Sequence, residues 1–440
     1  LGETFLQIEM GAPKLVWRSI NNTQLSSYHS YQFDFAPNIA VDKFGNIYLV
    51  YRTDRLFSFS KPSLIHSIVL IKLNSFGNII WKQNYLSSNH YENHNLPGIA
   101  TDNLGNVYIV YTNALQVSKY ETNNLSREGS SREHRNEKIT DIIIMKINLN
   151  GCLCWYQRQS TSNTCGNHIY PSITADNYGN TYISYTSSLL DQTFLIYVFK
   201  INIIGSFVWS KQMVPFNSNG VGDTCSIAVD NDGNCYIVYS EMIYECGYDK
   251  EQVPSITESR LGNIEIVVIK FDSVGNSEWF YRQGTFNSWM SSDIVPFISV
   301  DGYGNSYIVF NRFGTFSGTT FVGGQDIVVF KLNTLGSLQW VFIEPSLSIT
   351  CKASLSNLVT DDDGNTYVVY ETWNGVPVIV VFQLDGGGQR IWGVQVPSLD
   401  TLIRYFIPSI EIDDNHHVYV SYGANILSGI GDIVIFKINN

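Results

Sequence analysis

The phrase DNDGNCYIVY at residues 230–239 constrains this chain more than any other stretch, because it recurs. It returns as DKFGNIYLVY from Asp42, DNLGNVYIVY from Asp102, DNYGNTYISY from Asp176, DGYGNSYIVF from Asp301 and DDDGNTYVVY from Asp361. A decayed copy, DDNHHVYVSY, starts at Asp413. Asp230, Asp232 and Asn234 taken alone suggest a calcium loop, but such a loop needs six or more oxygens. The position of Asp232 is Phe44, Leu104, Tyr178 or Tyr303 in four other copies, groups that cannot ligate calcium. What the copies share is Asp, Gly three residues on (His416 in the last), Asn, and an apolar run. That is turn chemistry: the carboxylate accepts backbone N–H groups, and Gly takes a left-handed conformation that a Cβ resists.

Two further phrases travel with each copy. An apolar run ends at Lys72, Lys146, Lys200, Lys270, Lys331, Gln383 and Lys437. Nine residues after the first six stand Trp81, Trp155, Trp209, Trp279, Trp340 and Trp392, a spacing that requires a short fixed connection. Five residues upstream of the Asp stand Pro37, Pro97, Pro171, Pro296 and Pro408, with Cys225 and Ser356 as exceptions. Proline fits the start of an edge strand, where no ladder donor is required.

One repeat therefore reads as four strands: Pro to Asp, Gly-Asn to Tyr, the run ending in Lys, and the strand carrying Trp. Four-stranded repeats at intervals of 52 to 74 residues predict an all-β, seven-bladed propeller of antiparallel blades. Runs such as NIYLVY are apolar on both pleat faces and no helical periodicity is present to cover them, so each sheet must be sandwiched between other sheets. The last repeat stops at DIVIFKINN without a Trp strand, and GAPKLVWRS at residues 11–19 supplies Trp17. Residues 11–19 are therefore expected to complete the seventh blade, closing residues 1–440 into one domain by three strands from one end and one from the other. Closure removes a free sheet edge.

The motifs D-x-x-G-N-x-Y, the apolar run with Lys, and G-x-x-x-W as in GSFVW and GSLQW resemble the SBBP repeat, the seven-bladed β-propeller repeat family. The resemblance spans nearly the whole chain. It implies the fold and a surface or extracellular setting, and it implies no activity.

Length alone would suggest two or three domains, but the repeat overrides it. The 27 basic against 39 acidic residues give a net charge of −12, which argues against sequence-independent binding to nucleic acid or an anionic membrane. No apolar run reaches the roughly 20 residues of a membrane span. The chain begins with Leu1, which leaves room for a removed upstream signal. The cysteines, seven in number, lack zinc-type pairing and are expected to be buried free thiols. Asn21 and Asn124 lie in glycosylation sequons. A bias toward Asn, Ile, Ser and Tyr suggests an AT-rich source such as a giant virus or a protist.

The links between second and third strands vary in length, whereas the Asp-Gly-Asn turns and the Lys-to-Trp links are uniform. These two sets fall on opposite faces, and variation marks the expected functional face. The long links after Tyr111 and Tyr239 are candidates for partner binding: the first is a polar, solvated excursion, the second carries Glu241, Met242, Tyr244 and Tyr248 as an adhesive patch. His90, Glu92 and His94, with His168 in the next blade's equivalent loop, form the best cluster for chemistry, but the zincin order is absent and no metal or cofactor is expected. Asp34, Asp223 and Asp293 lie near strand starts and could line a channel mouth, where paired acids would suit glycoside chemistry. The expectation is a non-enzymatic interaction or structural module that binds a protein partner or itself, on a surface or virion. The rival readings are a polysaccharide lyase or hydrolase, or a lectin, using the channel face.

Overall fold

The computed structural model describes residues 14–21, 34–55, 65–87, 97–118, 136–161, 171–188, 194–215, 221–243, 263–284, 295–313, 325–344, 356–373, 376–398, 407–425 and 431–439. Blade 1 comprises β2 (Asp34–Val41), β3 (Ile47–Arg55), β4 (Ile65–Leu73) and β5 (Ile79–Ser87), each pairing with the next. Blade 2 repeats the order with β6 (Gly98–Thr101), β7 (Val107–Ser118), β8 (Asn136–Ile147) and β9 (Leu153–Thr161). Blade 3 holds β10 (Ser172–Ala175), β11 (Thr181–Ser188), β12 (Phe194–Ile201) and β13 (Phe207–Met213). Blade 4 holds β14 (Val221–Val229), β15 (Cys235–Ile243), β16 (Asn263–Phe271) and β17 (Ser277–Gly284). Blade 5 is β18 (Phe297–Val300), β19 (Ser306–Phe313), β20 (Gln325–Leu332) and β21 (Leu338–Glu344). Blade 6 is β22 (Ser356–Thr360), β23 (Thr366–Trp373), β24 (Pro377–Leu384) and β25 (Arg390–Pro397). Blade 7 takes β26 (Ser409–Ile412), β27 (Val418–Asn425) and β28 (Gly431–Asn439) from one end of the chain and β1 (Lys14–Asn21) from the other.

The first strands of successive blades touch in the cyclic order β2, β6, β10, β14, β18, β22, β26 and back to β2, so they enclose a central channel. The closing strand is described over residues 14–21, which includes 14–19 of the expected 11–19 while 11–13 lie outside the described residues, and it places Trp17 opposite Lys437. The same pairing joins Trp81 to Lys72 in blade 1, with the same one-residue bulge beside it.

The turn chemistry is built as its residues require. In blade 1, Asp42 N–H bonds the Asn46 carbonyl at 3.0 Å and Gly45 N–H bonds the Asp42 carbonyl at 2.9 Å, with Gly45 at φ 73°. Asp42 Oδ1 accepts the N–H groups of Phe44 and Asn46 at 3.0 and 2.9 Å, and Oδ2 accepts the Asn46 amide at 2.8 Å. In the decayed copy His416 holds the positive φ, at 60°, and its Nδ1 lies 3.1 Å from Asp361 of the neighbouring blade. A second set of turns, between third and fourth strands, has the same geometry led by Asn74, Asn148, Asn202, Asp272, Asn333 and Asp385.

Each blade is then clasped to the next at two heights. The Tyr48 hydroxyl lies 3.1 Å from Asp42 Oδ2 and 3.2 Å from the Gly105 carbonyl of blade 2, sharing its one proton between them. Tyr108 reaches Gly179, Tyr182 reaches Gly233 and Tyr236 reaches Gly304 in the same way. Burial first, and then the adjacent Asp, push these phenols far above their ordinary range, so they remain donors. Farther out, Lys72 Nζ and the Trp81 indole N–H both donate to the Leu149 carbonyl of the next blade at 3.2 Å. Lys146 with Trp155, Lys200 with Trp209 and Lys331 with Trp340 repeat this shared acceptor. The Trp ring lies against the next blade's turn glycine: a Cβ on Gly336 would sit 2.7 Å from the Trp279 ring. Glycine is thus fixed there twice over, by φ and by contact.

Seven apolar clusters fill the spaces between neighbouring blades, including one between blades 7 and 1 built from Ile39, Leu49, Tyr51, Tyr419 and Ile435 among others. This explains why the strands are apolar on both faces. Across the closing seam, Ser409 Oγ donates to Asn38 Oδ1 at 2.7 Å and accepts Ile39 N–H at 3.2 Å. The cysteines depart from expectation: Cys225 and Cys235 are buried, but Cys152 and Cys154 are exposed, because they fall on a turn and on an outer strand. All four are free thiols, and the other three lie outside the described residues.

Candidate functional site

Three regions offer surface to a ligand: the channel, the variable face and the uniform face. At the variable-face end of the channel, Pro97, Pro171, Pro296, Phe297 and Ile407 line a cavity of about 100 Å³, with Asn38, Ser172 and Ser226 as its polar edge. Pockets that hold organic ligands run from about 300 Å³ upward. The cavity therefore suits a few waters, not a sugar ring.

Deeper in the channel stands Glu411 on β26, half-buried. The matching position is Ala40, Ala100, Thr174, Ala228, Ser299 and Val359 in the other blades, so Glu411 is the single carboxylate at this level of the ring. Burial pushes its carboxyl up to about 8, against a smaller opposing pull from the Ile412 backbone N–H. Of the acids expected at the channel mouth, Asp34 is the first residue of β2 and Asp223 the third of β14, and Asp293 falls outside the described residues. The structure brings no pair of carboxylates together across the lumen among the described side chains.

On the variable face, Glu241 is not displayed on a loop. It ends the buried part of β15, opposite Glu265, and its carboxylate lies 3.6 Å from Arg282, which also faces Glu265 at 3.6 Å. Asp141 of blade 2 is likewise buried and paired with Arg158 at 2.5 Å. These acids are held inside their own blades by cations of the outermost strand. Met242 follows in β15, opposite Ile264. His90, Glu92, His94, His168, Tyr244 and Tyr248 lie outside the described residues. The excursion of blade 2 begins later than its composition suggested, because β7 and β8 stay paired as far as Ser118 and Asn136. This ribbon rises about 10 Å beyond the ends of its eight- and nine-residue counterparts. No group of His, Cys, Asp or Glu among the described residues is arranged to hold a metal, and no helix is long and apolar enough to cross a membrane.

The uniform face carries what sequence reasoning missed. Its turn tips display Phe44, Leu104, Tyr178 and Tyr303 in the first turn set, and Phe76, Leu149, Ile203, Ile204, Val274 and Leu335 in the second, all between 39 and 78% exposed. The apolar surface continues onto the first residues of the outermost strands at Ile79, Ile80, Phe207 and Val208. Blades 6 and 7 differ, with Asp362, Asp363, Asp414, Gly386 and Gly387 at the matching tips. Blade 4 carries an exposed Asp232 at its first-set tip, so the face is an apolar crescent over blades 1–5 that is interrupted at Asp232 and closed by an acidic sector. Desolvation first, and then the neighbouring acids, push the Asp362 carboxyl upward. The signal was visible as the set of residues at the Asp232 position, but only as a reason to reject calcium.

No family model matches the chain, and no curated protein matches it. Solved structures resemble it at low identity. A protein of unknown function from Dyadobacter fermentans is 9% identical over 98% of this chain and 99% of that one, with a TM-score of 0.48. The β-propeller domain of the trilobed protease from Pyrococcus furiosus is 8% identical over 92% and 95%, with a TM-score of 0.43. An α-L-arabinanase from Penicillium chrysogenum is 11% identical over 78% and 92%, with a TM-score of 0.41.

Proposed function

We propose that this propeller is a non-enzymatic interaction module whose docking surface is the apolar crescent of the uniform face. One observation carries the reading: large apolar side chains occupy turn tips where the fold makes no demand for them. The turn needs its Asp or Asn, its Gly and its backbone bonds, and the second residue after Asp contributes only its N–H. Exposed apolar area of this extent on a protein marks an interaction site. The sequence placed partner binding on the variable face, through links most of whose residues lie outside the described ones; what supports the uniform face is that its described side chains are both apolar and unburied. A surface or virion assembly, in which a scaffold is needed and chemistry is not, suits such a module.

Site-specific photo-crosslinkers at Phe76 and Tyr303, with a control at Lys211 on an outer strand, test this in the expressing cell. Adducts with a defined macromolecule at the two tips and none at Lys211 are expected. Crosslinks confined to other surfaces, or saturable binding of a glycan at the channel mouth, would overturn it in favour of the lectin or glycosidase reading.

A further inference from the structure

The geometry points to a second copy of this chain as the occupant of the crescent, joined uniform face to uniform face about a two-fold axis. This inference rests on the interaction reading above and goes beyond it by naming the partner. Area is the first argument. A free aromatic side chain offers roughly 150–250 Å² and an aliphatic one less, so ten residues, four of them aromatic, at 39 to 78% exposure present on the order of 1,000 Å². A stable interface takes about 800 Å² from each partner, so the crescent alone is sufficient.

Shape is the second argument. The tips are built by turns with the same backbone bonds in blade after blade, so Phe44, Leu104, Tyr178 and Tyr303 stand at one height. A level disc has no groove for an extended peptide or a single helix, whereas it matches another level disc. Two-fold symmetry makes one patch serve on both sides, and a single surface then needs only to complement itself.

Charge selects among the remaining occupants. Asp362, Asp363 and Asp414 share the face, and the chain carries a net charge of −12, so an anionic lipid surface is repelled. A second copy is compatible with the acids of blades 6 and 7 when the two discs are offset, crescent over crescent, leaving each acidic sector in water, while the exposed Asp232 within the crescent adds to the repulsion between copies. Two chains of the same sign then repel at long range, and added salt must tighten their pairing by screening. A basic partner would show the opposite dependence.

Sedimentation equilibrium of the full chain tests the proposal. The weight-average mass is expected to move with concentration from 49.7 kDa toward twice that value, and to move further in high salt than in low. The Phe76→Asp, Leu335→Asp double variant should stay at the single-chain mass with an unchanged melting temperature, because both side chains are 78% exposed. Val214→Asp, an exposed apolar position outside the crescent, should dimerise normally. A single-chain mass at every soluble concentration, dimerisation that salt weakens, or a dimer indifferent to the double variant would each overturn it. A monomer that still crosslinks through its tips to another macromolecule would remove the self-pairing and leave the interaction reading standing. A monomer with no tip crosslinks would remove both.

Discussion

The side-chain amide of Gln383 donates to the hydroxyl of Tyr367 within its own blade, at 3.3 Å. In blades 1, 2, 3 and 5 the residue at this position is a lysine that reaches out to the next blade's turn carbonyl. Blade 6 faces blade 7, whose third and fourth strands, β28 and β1, are not consecutive in the chain, so no tight turn joins them. Among the described residues no such shared acceptor stands there. The Trp392 indole N–H, buried, accordingly has no partner among the described residues. The exchange of Lys for Gln follows from how the ring closes.

This gives a paired expectation. Trp340→Phe loses both packing and the bond to the Gly386 carbonyl at 3.1 Å, whereas Trp392→Phe loses packing alone. Trp340→Phe should therefore cost about 1 kcal/mol more in denaturant unfolding. Gln383→Lys should destabilise rather than restore a repeat consensus, because a buried ammonium would lack its acceptor. Equal costs for the two tryptophans would contradict the account.

The Asp turns should be indifferent to metal. Asp230 already accepts Asp232 N–H at 3.1 Å, Asn234 N–H and its amide each at 2.8 Å, and the Tyr236 hydroxyl at 3.0 Å. Both oxygens are engaged by donors that a cation would have to displace. Melting curves with chelator and with excess calcium should coincide. Asp230→Ala strands those donors and should cost about 3 kcal/mol, while Asp230→Asn, which keeps an acceptor, should cost less. A calcium-dependent rise in melting temperature would count against the turn reading.

The fold was legible because its signals are local and repeated. The left-handed Gly45 and its counterparts, the nine-residue step from Lys72 to Trp81, and the orphan Trp17 all report backbone geometry that recurs whatever the neighbours are. The second turn set was equally readable, as N-S-F-G at Asn74 and N-L-N-G at Asn148, but its varied leading residue hid it behind the more regular Asp phrase. The site was not legible for a different reason. Whether Phe44 and Leu335 are buried or displayed depends on where the ring puts each turn tip, which no periodicity encodes. Glu411 likewise sits in a strand whose sequence reads as ordinary core, and its distinction appears only when seven first strands are set around one axis. Glu241 looked like part of an excursion because its partner, Arg282, is two strands away in the sheet.

Closure should depend on β1. Its backbone pairs along β28 from Lys14 opposite Asn439 to Asn21 opposite Ile433. Removing residues 1–21 leaves β28 as an open edge, which templates aggregation. The shortened chain should melt well below the full one and should form large species in light scattering. A peptide of residues 12–22 added in trans should reverse both effects, since it supplies the same strand. A truncated chain that melts unchanged would show that blade 7 is stable with three strands.

Glu411 should make stability fall as the pH rises from about 4.5 to about 8. Its folded carboxyl titrates at about 8, above the ordinary carboxyl range near 4.5 that it regains on unfolding. Between those values the native state holds a proton that the unfolded state has released, so unfolding free energy decreases with rising pH across this window and levels off above it. The residue is only half-buried, which limits the effect to about 1–3 kcal/mol. Glu411→Gln keeps the shape of the neutral acid and removes the titration. The variant and the parent should therefore unfold alike near pH 5, and the variant should be the more stable of the two near pH 9, as read by denaturant midpoints at each pH. A gap that is constant across the range would mean that the carboxyl titrates normally, and that the channel at this level is as wet as the bulk solvent.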